Sequence, residues 1–348
     1  MKNKFAKILN EIELEKQQQD SLHRDSKVLI VDGMNLFIRT FSAIPTLNED
    51  GKHVGGLSGF LTSLASTVRM VNPTRLIVVF DGKGGSYRRK QIYSNYKEKR
   101  SMKSRLNRIV GFEGIEDEQA SIKHQLFRLY QYLDNLPITI ISIDQIEADD
   151  VIAYLSNYLK EKVVILSNDR DFLQLVSDRV NVYLPTKKKM YDPENLFEET
   201  GIWCENFILY KALLGDKSDN ISGIKGIGKK TIEKNFPILS EKQKIDLEMF
   251  LEFCKLHDGK SKAILSLKDN LQTLETNYKI MQLIDVDISQ SHKSNIRNLS
   301  DGEIDCIKTV ELNKLYIQDK LHSIIPNFDN WIKKNFTTLN EFRNKYAR

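Results

Sequence analysis

The amino-acid sequence predicts an α/β protein with a mostly parallel central sheet flanked by helices and followed by an α-helical region. Two observations support this prediction. Up to about residue 200, short apolar runs alternate with helical patterns, which is typical of a parallel sheet covered on both faces. Beyond residue 200 the pattern is predominantly helical. We therefore predict an N-terminal extension over residues 1–26, an α/β core over 27–200 and a helical region over 201–348.

The predicted strands are short apolar runs rich in β-branched residues, as buried strands are. In chain order they cover residues 28–31, 76–80, 138–143, 163–166 and 180–184. One amphipathic helix has apolar residues at helical spacing from Ile122 to Leu136 and should end before Pro137. A second helix should begin near Glu147 and end near Leu159. For residues 1–26 a solvated extension is favoured, and a short helix that docks a partner is the alternative.

The composition predicts a cytoplasmic protein. If a bacteriophage encodes it, the protein is expected to act in the cytoplasm of the host. The 348 residues carry a net charge of +5 and are 28% charged. The sequence shows no signal-peptide pattern and no apolar run of eighteen residues. Its three cysteines are scattered and lack metal-ligand spacing, as expected in a reducing compartment. We expect a monomer with no membrane association.

Nine acidic residues are candidate ligands of divalent metal ions. Asp32 and Asp81 each end an apolar run, and Asp169 and Asp171 closely follow another. In an α/β fold such positions meet at the carboxyl edge of the sheet, where ligands bind. Carboxylates packed together repel each other unless a cation joins them, and Mg²⁺ favours sites with few carboxylates, waters and phosphate. The nine acids are Asp32, Asp81, Glu147, Asp149, Asp150, Asp169, Asp171, Asp216 and Asp219.

Ordinary local structure is the alternative for two groups of these acids. Glu147, Asp149 and Asp150 fall at the start of a predicted helix, where acids cap free N–H groups. Asp169 and Asp171 could belong to a polar turn. Capping explains one or two acids well and three poorly, so the whole set favours metal ligation.

A basic block lies next to these acids in the sequence. Residues 83–108 contain ten basic residues and a single acid, Glu98. Basic side chains attract phosphates, and interleaved tyrosines can stack on unpaired bases. The block therefore indicates a polyanionic substrate, which the basic surface binds and the acidic surface cuts. A solvated basic face is the alternative.

Residues 215–231 form a glycine-rich segment. Gly223, Gly228 and Lys229 superficially fit a nucleotide-binding loop, but Lys230 stands where Ser or Thr is required and no strand precedes the loop. The remaining interpretation is a turn that opens a helix and offers backbone N–H groups to DNA phosphates. Three lysines of the segment support it, namely Lys225, Lys229 and Lys230.

In this order and spacing, four blocks of the sequence resemble the 5′ nuclease (flap endonuclease) family. They are Val31-Asp32-Gly33 with Asn35; Phe80-Asp81 with Arg89, Tyr96, Lys97 and Arg100; the acids of 147–150 with residues 167–171; and the segment 215–231. Together they cover about residues 27–235. Residues 278–288 additionally resemble the bacteriophage branch of the family, which includes phage RNase H.

The resemblance implies a PIN-like central sheet, a helical arch within about residues 83–120 and a helix–three-turn–helix element at about 215–235. It implies two Mg²⁺ ions, with Mn²⁺ as a substitute. By this resemblance the first ion is held by Asp32, Asp81, Glu147, Asp149 and Asp150, and the second by Asp169, Asp171, Asp216 and Asp219.

The resemblance also implies the residues that act on DNA. Lys97 and Arg100 match residues that contact the scissile phosphate, and with Asp81 they are the implied catalytic residues. A K⁺ ion is implied at the glycine turn, which grips duplex backbone. The implied DNA-binding residues are Arg89, Tyr96, Lys97, Arg100, Gly223, Gly226 and Gly228, to which the segment adds Lys225, Lys229 and Lys230.

The function implied is that of a structure-specific 5′ nuclease that removes RNA primers or 5′ flaps in DNA replication. The expected substrates are DNA with a 5′ flap or nick and an RNA–DNA hybrid, and the expected replication partner is a single-strand-binding protein or a clamp. Two alternatives stay open: a catalytically inactive DNA-junction binder, and a PIN-type ribonuclease, against which the segment 215–231 argues.

Overall fold

The computed structural model describes residues 26–98, 106–256 and 261–346. It confirms the predicted α/β core followed by helices. The central sheet has the strand order β3-β2-β1-β4-β5-β6. The first five strands pair in parallel, and β6 is antiparallel to β5. The strands are β1 (Lys27–Asp32), β2 (Arg75–Asp81), β3 (Thr139–Ile143), β4 (Lys162–Leu166), β5 (Val180–Leu184) and β6 (Lys189–Tyr191).

The helices of the α/β part cover both faces of this sheet, as the alternating pattern predicts. They are α1 (Gly33–Ala43), α2 (Gly55–Val71), α3 (Tyr87–Ile92), α4 (Ile115–Asp134), α5 (Ala148–Tyr158) and α6 (Pro193–Thr200). Helix α4 begins earlier than its apolar pattern because three acids occupy its first turn. One of them, the buried Glu118, accepts hydrogen bonds from the backbone N–H groups of Leu106 (3.0 Å) and Asn107 (2.7 Å).

The part after residue 200 is helical apart from a short antiparallel pair, β7 (Gly215–Asp216) and β8 (Ile221–Ser222). Its helices are α7 (Phe207–Leu214), α8 (Lys229–Asn235), α9 (Leu247–Leu256), α10 (Lys262–Lys268), α11 (Leu271–Met281), α12 (Gln290–Asp301), α13 (Thr309–Gln318) and α14 (Phe328–Tyr346). No helix in the described part of the chain is long and apolar enough to cross a membrane.

Two hydrophobic cores hold the helical region against the sheet. The first contains Ile30 and Ile165 from the strands together with Leu213, Phe250 and Ile296 from later helices. The second joins the other sheet face to α1, α2, α4, α13 and α14. Because both cores include residues from before and after position 200, the helical region packs on the sheet and can place side chains at its edge.

Candidate active site

The acids at the ends of β1 and β2 lie at the carboxyl edge of the sheet, as predicted. Asp32 is 5% exposed and caps α1, where its carboxylate accepts the backbone N–H of Asn35 (3.1 Å) and the Ser167 hydroxyl (2.9 Å). Asp81 is exposed and accepts the backbone N–H of Ala148 at 2.8 Å. The ends of β1, β2 and β4 therefore meet at the carboxyl edge of the sheet, where they place Asp32, Asp81 and Ser167.

The carboxylates at this edge repel each other. Burial and the charges of Asp169 and Asp81 raise the pKa of Asp32 to about 7. Burial and the charges of Asp169 and Asp32 raise the pKa of Asp149 well above its ordinary value. Burial and Asp169 raise the pKa of Asp171 to about 7 despite a neighbouring lysine. This part of the edge has more negative charge than the protein neutralises.

Arg89 lies beneath the edge and holds two of the predicted ligands. It is 4% exposed, its guanidinium pairs with Asp150 (2.7 Å) and with Glu147, and its Nε donates to the carbonyl of Ile280 (3.0 Å). Burial alone would raise the pKa of Glu147, but Arg89 and Lys97 outweigh it and lower that pKa. The predicted DNA contact of Arg89 is wrong in this structure, because its guanidinium is buried among protein partners.

Tyr96 is also buried rather than available to bases. It is 2% exposed and packs with Ile208, Ile221 and Ile280, while its hydroxyl donates to Glu147 at 3.3 Å. Its predicted stacking on DNA is therefore corrected to a role in packing. Amphipathic tyrosine suits both settings, so the sequence pattern could not distinguish them.

Lys97 connects the basic block with the glycine-rich segment and the acids. Its ammonium pairs with Glu147, and its backbone N–H donates to the carbonyl of Asp219 at 3.0 Å. Asn220 of the same turn donates to the carbonyl of Asn95 at 3.1 Å. Lys97 has a φ of 54°, a strained conformation for a non-glycine residue that surrounding contacts must maintain. Asp219 is thus brought beside Lys97, whereas Arg100 lies outside the described residues, as does part of the predicted arch.

Lys211 is a site residue that the sequence reasoning missed. Its ammonium lies 2.7 Å from the carboxylate of Asp171 and 2.9 Å from that of Asp216. Burial alone would raise the pKa of Asp216, but hydrogen bonds from Ser218 and the charge of Lys211 lower it to about 2. A signal was present in the sequence, since Lys211 is the single charged residue of the apolar helix FILYKALL, five positions before Asp216.

The donor set fits a hydrated divalent cation. Burial first, and then repulsion between the acids, raises the pKa values of Asp32, Asp149 and Asp171, and a cation would relieve this repulsion. Across the described ranges, no three His, Cys, Asp or Glu side chains already form a group that could hold a metal ion. Mg²⁺ keeps several waters and needs only one or two carboxylates, so a closed protein cage is not required.

The glycine-rich segment is an exposed turn that is held by two buried isoleucines. Ile224 and Ile227 are buried in the first core, whereas Lys225, Lys229 and Lys230 are exposed. Gly226 and Gly228 are exposed between them, and α8 begins directly after Gly228. This confirms the predicted turn that opens a helix.

Gly223 is required because the backbone of another segment packs directly against it. A Cβ at this position would lie 2.1 Å from the carbonyl oxygen of Leu214. The adjoining Gly215 has a φ of +70° and would place a Cβ 2.3 Å from the backbone nitrogen of Gly223. Only glycines allow β7 and β8 to pair this closely, and the pairing places Asp216 at the edge.

Raised carboxyl pKa values make the stability of the metal-free protein depend on pH. Asp32 and Asp171 titrate near pH 7 in the folded state but near pH 4 when unfolded, so the folded state binds protons more tightly. The free energy of unfolding should therefore fall by about 2–4 kcal/mol between pH 4 and pH 7.5. Urea unfolding in EDTA across this range measures the effect.

Asp32→Asn is the control for this pH dependence, because Asn also caps helices and cannot titrate. The variant should lose part of the fall in stability. A stability that rises with pH in the unmodified protein, or a pH dependence that Asp32→Asn leaves intact, would contradict the expectation.

The parallel sheet, its acidic edge and the glycine-rich turn place the chain in the class of α/β nucleases. A family model described as 5′-3′ exonuclease, N-terminal resolvase-like domain, matches residues 27–201. A 5′-3′ exonuclease of Bacillus subtilis is 32% identical over 282 residues, which are 72% of this chain and 90% of that protein. The chain belongs to the 5′-3′ exonuclease family.

Two further comparisons agree with this assignment. The thermostable DNA polymerase I of Thermus thermophilus is 36% identical over 212 residues, which are 60% of this chain and 23% of the polymerase. The flap endonuclease of bacteriophage T5, solved with DNA and metal ions, has a TM-score of 0.59 at 20% identity and covers 84% of this chain and 97% of that one. The second likeness confirms the predicted fold, including the helices that follow the sheet.

Proposed function

We propose that the protein is a structure-specific 5′ nuclease that acts as a 5′-3′ exonuclease and flap endonuclease with two Mg²⁺ ions. The observation that carries this proposal is the group of mutually repelling carboxylates at the sheet edge, beside Lys97 and the exposed lysines of the glycine-rich turn. The fold of the T5 flap endonuclease, solved with DNA and metal ions, supports the same function.

Two acid groups would hold the ions. When bound, Mg²⁺ or Mn²⁺ would supply a hydroxide nucleophile at neutral pH and stabilise charge on the transferring phosphate. The first group is Asp32, Asp81, Glu147, Asp149 and Asp150, and the second is Asp169, Asp171, Asp216 and Asp219.

Lys97 is the proposed electrostatic catalyst. Its contacts with Glu147 and Asp219 keep its ammonium at the border between the acids and the glycine-rich turn. From there it can stabilise charge on the non-bridging oxygens of the scissile phosphate. We assign the same role to Arg100 on the sequence resemblance.

Duplex DNA is the proposed occupant of the glycine-rich turn, with a K⁺ ion at its backbone. Lys225, Lys229 and Lys230 are exposed there and would pair with phosphates without reading sequence. Binding to backbone alone explains a preference for DNA structure, such as a 5′ flap or a nick. The proposed role is removal of 5′ flaps or RNA primers in replication by a monomer, together with a single-strand-binding protein or a clamp.

The test is a substrate profile of the purified protein. Labelled 5′-flap, nicked, single-stranded and RNA–DNA hybrid substrates are incubated with Mg²⁺, Mn²⁺ or EDTA. We expect cleavage that requires metal and leaves 5′-phosphate products, with flap or nick preferred over single strand. Comparing RNA and DNA 5′ strands on one template decides RNase H activity, because the two-metal reaction itself does not read the 2′-hydroxyl. Metal-independent binding without cleavage at any metal concentration would identify an inactive junction binder instead.

The exposed lysines of the turn should contribute to the salt dependence of duplex binding. Each phosphate contact releases counterions, so replacing both Lys229 and Lys230 by Ala should reduce the slope of log affinity against log salt by about two. Fluorescence anisotropy in Ca²⁺ from 50 to 200 mM salt measures this slope. Lys314→Ala is the single-charge control, since Lys314 pairs with Glu311 on α13, a helix of the second core. An unchanged slope in the double variant would exclude the turn as a phosphate clamp.

A further inference from the structure

Lys211 occupies the position between two acids of the proposed second metal group. It is in the last turn of α7, 14% exposed, with its ammonium 2.7 Å from Asp171 and 2.9 Å from Asp216. These two acids come from different elements, Asp171 from the 3₁₀ helix Arg170–Leu175 that follows β4 and Asp216 from the strand β7. The lysine is therefore the cation that joins them across the site.

A lysine and a divalent ion cannot both occupy this position. An ammonium that lies under 3 Å from an oxygen of each carboxylate leaves no space between the same oxygens for a metal ion at its usual distance of about 2.1 Å. Two further acceptors of the group also have protein donors, since Asp216 accepts the backbone N–H of Ser218 (2.7 Å) and Asp169 accepts the backbone N–H of Asp171 (2.8 Å). In this conformation the chain itself supplies the cation between Asp171 and Asp216.

We propose that Lys211 is an internal counter-ion of the second metal group, which it occupies in the metal-free protein and has to leave when a divalent cation binds. This inference rests on the proposed two-metal function. Lysine suits the task because its ammonium is a point charge on a flexible four-carbon stem, which lets it withdraw without moving α7. The consequence is that the second ion has to displace this ammonium, so that its binding should tighten when the lysine is removed.

The first acid group has internal cations too, since Arg89 pairs with Glu147 and Asp150, and Lys97 pairs with Glu147. Lys211 differs from them in its geometry, because it lies between two acids of the second group that come from different elements of the fold.

The test measures Mn²⁺ binding to the full chain by electron paramagnetic resonance, without substrate. The variants are Lys211→Met, Lys211→Gln and the control Lys187→Met. The control also removes a lysine that pairs with a carboxylate, because Lys187 pairs with Glu199, which belongs to neither acid group. We expect two classes of Mn²⁺ site in the unmodified protein. In Lys211→Met and Lys211→Gln one of the two classes should tighten by about tenfold, as loss of one competing charge allows, and Lys187→Met should change neither class.

Thermal unfolding supplies a second readout that does not depend on activity. In EDTA, both Lys211 variants should melt below the unmodified protein, because two carboxylates lose their counter-ion, and Mn²⁺ should restore their melting temperature more than it raises that of Lys187→Met. Weaker or unchanged Mn²⁺ binding in folded Lys211 variants would overturn the counter-ion proposal while leaving the nuclease proposal intact. Failure of the unmodified protein both to bind Mn²⁺ and to cleave DNA would overturn both.

Discussion

Replacing Arg89 by Met should lower the free energy of unfolding by about 3–5 kcal/mol, the usual cost of breaking a buried ion pair from one side. The guanidinium contacts Glu147 and Asp150, both nearly inaccessible to solvent, and also the carbonyl of Ile280. Met keeps most of the side-chain volume and removes every one of these hydrogen bonds. Urea unfolding in EDTA at pH 7.5 measures the loss.

Arg88→Met is the matched control for this substitution. Arg88 is the preceding residue of α3 but is partly exposed and lies 3.9 Å from the highly exposed Asp287, and exposed pairs of this kind contribute about 0–1 kcal/mol. Mn²⁺ should recover part of the stability of Arg89→Met, because the released carboxylates can then bind a cation. Equal stabilities for the two variants would show that Arg89 is not the internal partner of these acids.

The second large effect is expected for Asp81→Asn, which should reduce kcat/KM on a 5′-flap substrate by about a thousandfold or more. Losing one ligand charge removes several kcal/mol of transition-state stabilisation, and each 1.36 kcal/mol is a factor of about ten. The fold should be unaffected, because Asp81 is exposed and Asn retains an oxygen that can accept the N–H of Ala148. Single-turnover cleavage with saturating Mg²⁺ measures the rate.

Asp144→Asn provides the control on the same edge of the sheet. Asp144 directly follows β3, is exposed and accepts only the backbone N–H of Lys83 at 3.2 Å among the contacts of the described residues, so its loss removes a nearby negative charge that is not a proposed ligand. We expect its cleavage rate to remain within about threefold of normal, since its exposed carboxylate is solvated and is not a proposed ligand. Full activity in Asp81→Asn would refute the assignment of this carboxylate.

Much of the fold could be predicted because its signals are local. The runs that predict β1, β2 and β4 are apolar throughout, and buried parallel strands require this on both faces. The helix α4 was predicted from apolar spacing and its end from Pro137. The positions of Asp32 and Asp81 followed from the same logic, because an acid that ends a buried parallel strand can only lie at the carboxyl edge.

The basic block shows where this reasoning stops. Arg88 and Arg89 are neighbours with the same charge and the same propensity, yet one is partly exposed and the other is buried against the acids. Tyr96 and Lys97 are likewise adjacent, but the tyrosine packs inward and the lysine pairs with Glu147. Which of two adjacent residues faces the interior depends on the elements that pack against them, here α5 and α11.

Local patterns in the sequence are enough to predict five strands of the sheet, two of its helices and the acidic edge, since each depends on periodicity or on the position where an apolar run ends. Which charges become partners depends on the tertiary packing. Arg89 meets Glu147 across 58 positions of the chain and Asp150 across 61, and Lys211 meets Asp171 only because α7 packs beside the 3₁₀ helix Arg170–Leu175. The attraction between opposite charges acts over a few ångströms, and the sequence pattern does not measure distances between segments that are far apart along the chain.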